Sequence, residues 1–289
     1  MDLEEKITRR TFLKKGKILI GSLIASPFAG YGYARLVEPG MLEVTRLRLV
    51  FRRLPDRFAG KKILLFSDVH LDFHYGIDRL RHLVDRIQSL EPDILCFTGD
   101  LYDTSIGSSA GDCIALLRRL EAPLGKWAVL GNHDHTTGAI AVKRILTEGG
   151  FRVLINECAE MRLEDQRIQI AGVEDYFHGN SDIKAALYRA DPRLFTLLLA
   201  HEPDLADEAL TSPVDLQLSG HSHGGQVRIP FIGPVILPEM AKLYPSGLYR
   251  LGDGKLTLYT TRGVGLSTHP VRFMCPPELT LLTLSIDNS

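Results

Sequence analysis

Tryptophan occurs once and cysteine four times in 289 residues, and the cysteines (Cys96, Cys113, Cys158, Cys275) include no CxxC pair. That spacing excludes a zinc ribbon and a small disulfide scaffold. Cys96 lies in the apolar run Ile94-Leu95-Cys96-Phe97, which predicts a buried, reduced thiol. Charge of one sign is also lacking: 34 Lys+Arg face 35 Asp+Glu, for a net charge of −1. No basic face for capturing nucleic acid is indicated. There is no internal repeat, no low-complexity linker and no apolar run of the ~20 residues that spans a bilayer comfortably. With 45% hydrophobic and 24% charged residues, the composition is that of a folded globular protein, not a disordered, fibrous or multi-span one.

Charge is instead unevenly placed. Lys6, Arg9, Arg10, Lys14, Lys15 and Lys17 crowd the start and leave the remainder mildly acidic. Thr8-Arg9-Arg10-Thr11-Phe12-Leu13-Lys14 precedes the short apolar stretch Ile18–Ala25. This order resembles a twin-arginine signal. It implies a bacterial protein exported across the cytoplasmic membrane by the twin-arginine translocase, already folded and metal-loaded. An ordinary Sec leader is the plainer alternative. No clean A-x-A site follows, so residues 1–34 read as a twin-arginine signal or an uncleaved membrane anchor. Residues 35–289 read as one α/β domain.

Within that domain, short β-branched or apolar runs bounded by Gly, Pro, Asp or Asn predict strands. They fall at Lys62–Ser67, Asp93–Thr98, Trp127–Gly131, Arg167–Val173, Phe195–His201, Asp215–Ser219, Lys255–Thr261 and Leu279–Ser285. Ile77, Leu80, Leu83, Val84, Ile87 and Leu90 recur at helical spacing until Pro92 stops them. Further helices are predicted over Ala110–Leu120 and Ala139–Gly149. The early β-α-β order predicts parallel strands with helical crossovers.

Five polar clusters stand where these strands end: Asp68-Val69-His70, Gly99-Asp100-Leu101-Tyr102-Asp103, Gly131-Asn132-His133-Asp134, His201, and Gly220-His221-Ser222-His223. Sheets of this class place ligands beyond the carboxyl ends of their strands. Asp68 and His70, two apart, share a side if that segment is extended, as do His221 and His223. Carboxylate, amide and imidazole donors without thiolate suit Mn²⁺, Fe, Zn²⁺ or Co²⁺ better than Ca²⁺. Each cluster alone is ordinary, since a Gly-Asp at a strand end is often just a capped turn. Five in succession are not. Ser222 has no free His/Asp partner to activate it, which disfavours a serine hydrolase.

In order and content the clusters resemble the calcineurin-like metallophosphoesterase family, whose pattern runs D-x-H, G-D-x-x-D, G-N-H-[DE], H, G-H-x-H. The resemblance implies an αββα sandwich of two mixed β-sheets flanked by helices, holding two divalent metal ions. Asp68, His70 and His223 match the ligands of one metal, and Asn132, His201 and His221 those of the second. Asp100 matches the bridging carboxylate. A hydroxide between the metals would attack phosphorus in line. His133 matches the histidine that contacts phosphate and protonates the leaving oxygen, and Asp103 the acidic residue that orients it. Asp134 is expected to act locally in structure.

One departure narrows the substrate. The phosphoprotein-phosphatase branch follows G-D-x-x-D with an arginine that grips a phosphate dianion; Thr104 stands here. Loss of that bidentate partner favours a phosphodiester or pyrophosphate bond. Glu38-Pro39-Gly40, Gly220–Gln226 and Tyr259–Gly265 resemble a bacterial subgroup of exported or membrane-associated phosphodiesterases, some of which hydrolyse UDP-2,3-diacylglucosamine. Three functions follow in order of expectation. They are a phosphodiesterase, a membrane-held pyrophosphatase on a lipid-linked substrate, and a non-catalytic metal-binding protein of the cell envelope. Arg262 is weighed equally as a phosphate contact and a surface turn residue, and His74 is expected in solvent. An apolar lip for a lipid at Phe231, Ile232, Leu237, Met240, Leu243 and Tyr244 is the less favoured reading against a packed loop.

Overall fold

The computed structural model describes residues 27–287, so the twin-arginine pattern and the apolar stretch after it lie outside the described residues. Among the described residues, no helix is long and apolar enough to cross a membrane.

The polypeptide builds two six-stranded sheets. In the first, β2 (Lys62–Phe66), β3 (Ile94–Phe97), β4 (Lys126–Ala128) and β5 (Arg152–Val153) run parallel. On the far side of β2, β14 (Glu278–Ile286) joins antiparallel and pairs in turn with β1 (Glu43–Phe51). In the second, β7 (Gln166–Gly172), β8 (Thr196–Leu199), β9 (Leu216–Ser219) and β13 (Leu256–Thr260) run parallel. Antiparallel β6 (Glu157–Leu163) and β12 (Gly247–Leu251) form its edges. A separate small hairpin joins β10 (Arg228–Ile229) to β11 (Gly233–Pro234).

Period-2 alternation sorts these strands into layers. Leu64 and Phe66 of β2 face the helices Ile77–Gln88, Ala110–Arg118 and Asn132–Glu148, with Leu83, Val84, Leu117 and Leu146. Ile63 and Leu65 point the other way, into a layer shared with Leu197, Leu199, Leu216 and Leu218 of the second sheet. Leu198 turns outward onto Ile183, Ala206 and Ala209. Because both faces of both sheets are covered, the central strands read as unbroken apolar runs. The architecture is the expected αββα sandwich.

All eight expected strands are present, most of them shorter than expected by one to three residues. The third helix starts earlier than expected, at Asn132 instead of Ala139, because Gly138 (φ 130, ψ 84) kinks it without ending it. Unforeseen were the β10–β11 hairpin and β1, β5, β6 and β12, the edges of the two large sheets. With one side unpaired, edges carry charge among their apolar residues, as Arg46 and Arg48 do in β1.

Candidate metal centre

Both sheets deliver their strand ends to one rim. The first contributes Asp68 and His70 after β2, Asp100 and Asp103 after β3, and Asn132 and His133 after β4. The second contributes His201 after β8 and His221 and His223 after β9. Asp68, His70, Asp100, His201, His221 and His223 are all buried.

The expectation that Asp68/His70 and His221/His223 lie on extended segments is corrected. Asp68 (φ 56), His70 (φ 50), Asp100 (φ 60), His221 (φ 66) and His223 (φ 49) all occupy the left-handed region. Each strand ends at once in a tight left-handed turn, which costs energy for residues bearing a Cβ and clusters at functional sites. The backbone also approaches closely here. At Gly131 an added Cβ would overlap Asp100 Oδ1 and stand 2.6 Å from His201 Cε1.

Two groups of donors result. His70 Nε2 lies 3.0 Å from His223 Nε2, and Asp68 Oδ1 lies 3.6 Å from the same His223 nitrogen. In the second group, Asn132 Oδ1 is 3.2 Å from His201 Nε2 and 3.1 Å from His221 Nδ1. Asp100 Oδ2 falls between them, 3.6 Å from His70 Nε2 and 3.3 Å from His201 Nε2. Asp68 Oδ2 is buried with no hydrogen-bond partner. Ring nitrogens facing each other at such distances satisfy only one another, and only if one is protonated. Divalent cations would satisfy all of them, so the residues present fit a pair of metals.

Electrostatics point the same way. Burial raises the Asp68 carboxyl. Burial would raise Asp100 too, but His201, by charge and hydrogen bond, and then His70 hold it well below the usual carboxylate range. Against the pull of burial, Asp100 raises His201 well above 6.5, while the Asp103 hydrogen bond and Asp100 raise His70. Burial, with His201, lowers His221 to about 4. Burial, with His70, lowers His223. The surroundings thus favour the neutral form of His221 and His223, as ligands must be, and the protonated form of His70 and His201, whose protons a cation would replace.

Surrounding contacts fix the donors. His201 Nδ1 meets the Thr98 carbonyl at 2.6 Å and His221 Nε2 the Glu239 carbonyl at 2.9 Å, leaving one nitrogen of each ring for the centre. Asp134 behaves as expected: its carboxylate accepts from the backbone N–H of Asp100, Leu101, Tyr102 and Gly131, clamping the Asp100 turn to the Asn132 helix. Burial and the Asp100 charge push it up to about 7. Asp103 is shared, its Oδ1 lying 2.8 Å from His70 Nδ1 and 3.3 Å from His133 Nδ1. It therefore orients both rings. His133 Nδ1 also meets the Asp103 carbonyl at 3.2 Å.

A cavity of about 390 Å³ is lined by Asp100, Asn132, His133, His221 and His223 together with the apolar Val227, Val235, Ile236 and Val271. Gln226, the last residue of the Gly220–Gln226 motif, and His269, which the sequence did not single out, also line it. Arg262 does not: its guanidinium is bound to Glu278 at 3.1 Å and Glu43 at 2.9 Å. His74 is exposed, and Ser222 Oγ merely accepts from Gly224 N–H. Missed entirely were Asp175 and Glu202, buried carboxyls whose charges act on His221 and His201 respectively, each with an oxygen lacking a hydrogen-bond partner. No motif spacing flags them.

Residues 61–225, which span the whole donor set, match the family model described as calcineurin-like phosphoesterase. The chain belongs to the calcineurin-like phosphoesterase family. It is a metal-dependent phosphoric ester hydrolase. This phosphoesterase is 42% identical to the uncharacterized metallophosphoesterase YkuE of Bacillus subtilis, over 98% of this chain and 100% of that one. It is 33% identical to the phosphodiesterase YaeI of Escherichia coli, over 96% and 99%. To the UDP-2,3-diacylglucosamine pyrophosphatase LpxG of Chlamydia muridarum it is 29% identical, over 92% and 96%.

Proposed function

We propose that this phosphoesterase is a dinuclear metal-dependent phosphodiesterase, with Asp68, His70 and His223 holding one cation, Asn132, His201 and His221 the other, and Asp100 bridging. When bound, the metals supply an activated water and neutralise charge on the phosphoryl oxygens. His133 is anchored through Nδ1, so its Nε2 is the nitrogen free to protonate the leaving oxygen. Asp103 holds that ring and His70 in register.

The observation that carries the diester reading is the cavity wall, which includes no Lys or Arg among the described residues. Thr104 replaces the clamp arginine, and Arg262 is engaged by two carboxylates. A monoester dianion would lack a bidentate partner there, whereas a diester monoanion needs none. Likeness to YaeI, named a phosphodiesterase, supports this.

A second reading, a membrane-held UDP-2,3-diacylglucosamine pyrophosphatase, is favoured by the apolar residues lining the cavity and the likeness to LpxG. A non-catalytic envelope role is weakest, because every ligand-type residue is kept. The Thr8–Lys14 pattern supports export by the twin-arginine translocase, which favours the diesterase over an enzyme using a cytosolic nucleotide.

The test compares bis-p-nitrophenyl phosphate with p-nitrophenyl phosphate, using metal-stripped full-length protein resupplied with Mn²⁺ or Zn²⁺. Metal-restored cleavage that favours the diester is expected; monoester preference would overturn the assignment.

A further inference from the structure

Residues 229–238 read Ile-Pro-Phe-Ile-Gly-Pro-Val-Ile-Leu-Pro, ten positions with no charged or hydrogen-bonding side chain. They form the tip and returning arm of the β10–β11 hairpin. Phe231 is fully exposed, and Ile232 and Ile236 are 75% and 72% exposed. Phe231 also sits at φ 66, a conformation that disfavours a bulky residue. Of the residues weighed as a lip against the favoured packed loop, Met240 and Tyr244 do pack into the outer core, but Phe231 and Ile232 stand clear in solvent. Val235 and Ile236 continue from its tip into the cavity wall beside His221 and His223.

The root of the hairpin is where the N-terminal segment arrives. Phe273 exchanges backbone hydrogen bonds with Gln226 and Arg228, and Arg272 N–H donates to Ala34 at 2.8 Å, tying the helical stretch at 27–36 to the same place. Tyr33 packs edge-on against Phe273. That stretch exposes Phe28, Tyr31 and Leu36. Immediately before it the sequence carries Lys14, Lys15 and Lys17 and then the apolar residues Ile18–Ala25.

We propose that the β10–β11 hairpin is a membrane-docking element that inserts Phe231 and Ile232 into a lipid bilayer. A protein partner fits less well, because protein interfaces carry a hydrogen bond per roughly 100–200 Å² and a polar rim, and these ten side chains offer neither. Hydrocarbon asks for neither, and the Lys14, Lys15 and Lys17 cluster that precedes the helical stretch in the sequence suits an anionic headgroup surface. Docking this way brings the cavity mouth to headgroup depth. If the phosphodiesterase reading holds, the favoured substrates are then phosphodiesters or pyrophosphates carried on a lipid.

The test needs no turnover, so it stands apart from the catalytic assignment. Trp127 is buried between the sheets and gives a constant background. Phe231→Trp in the full-length chain adds a reporter at the tip, and Tyr188→Trp adds a control at an exposed site on the outer layer of the second sheet. Phosphatidylcholine–phosphatidylglycerol vesicles, some with brominated acyl chains, are then added. The tip indole is expected to shift to the blue and be quenched by bromine, with the control unchanged. Phe231→Asp combined with Ile232→Asp should weaken vesicle partitioning at least about tenfold. The proposal is overturned if the chain binds vesicles while the tip indole stays unquenched, since the leader alone would then hold it. It is equally overturned if the control is quenched as strongly, if no binding occurs, or if the tip indole shifts with protein concentration before lipid is added, which would identify a second copy as the occupant.

Discussion

His133 is the one residue assigned to chemistry that faces the cavity while its ring is tethered from behind by Asp103. His133→Ala should lower kcat on a diester by roughly 10²–10⁴, and metal content by mass spectrometry should not change. Loss of metal in that variant would move His133 from proton donor to ligand. The buried donors give a second prediction. Asp68, His70 and His201 all hold protons more tightly than usual before metal binds, and a cation must displace them. Metal affinity should therefore rise with pH, most steeply while these groups still hold their protons, and level off as pH climbs through their raised values. Binding should release protons, as calorimetry in buffers of different ionisation enthalpy would measure. Proton-neutral binding at pH 6 would contradict this charge assignment. At this scale the sequence was highly legible, because metal ligands must be particular residue types and stand at strand ends. Asp175 and Glu202 were not, since they are marked only by their burial, and burial leaves no mark on a single sequence.

The helix Asn132–Glu148 shows what the elements contribute. Its first turn presents Asn132 and His133 to the site, and Gly138 then redirects the axis with φ 130 and ψ 84. Only glycine adopts that conformation without strain. Gly138→Ala should cost about 1–3 kcal/mol in urea denaturation, with activity falling because the first turn is re-aimed. A cost near zero would mean that the kink is not required. From sequence, the apolar period beginning at Ala139 marked the regular part of this helix and hid its start. Buried central strands were readable for the opposite reason: β2, β3, β8 and β9 are covered on both faces, so each is a short apolar run. Edge strands β1, β5, β6 and β12 were not, because half of each ladder is open and its sequence mixes charge with apolar residues. The turn after β3 was signalled by Gly99 (φ 99), but the left-handed conformations of Asp68 and His70 after β2 were hidden, since no glycine stands among them.

Across the whole molecule, the two sheets do different work for one site. The first brings Asp68, His70, Asp100, Asn132 and His133 to the rim, and the second brings His201, His221 and His223. Neither sheet holds a complete donor set for both cations, so the inter-sheet layer of Ile63, Leu65, Leu197 and Leu218 fixes the distance between the donors. Apo structure and metal site are thereby coupled, and the chain's order of motifs maps directly onto the order of parallel strands. The hairpin and the helical stretch at 27–36 share one end of this frame, next to the cavity. The most direct test of the account is a titration of metal-stripped protein with Mn²⁺, following diester hydrolysis and bound metal together. Activity should be absent without metal and saturate at about two equivalents per chain, and Asp100→Ala should abolish both the activity and the paired stoichiometry. Saturation at a single equivalent, or full turnover by Asp100→Ala, would contradict the dinuclear centre.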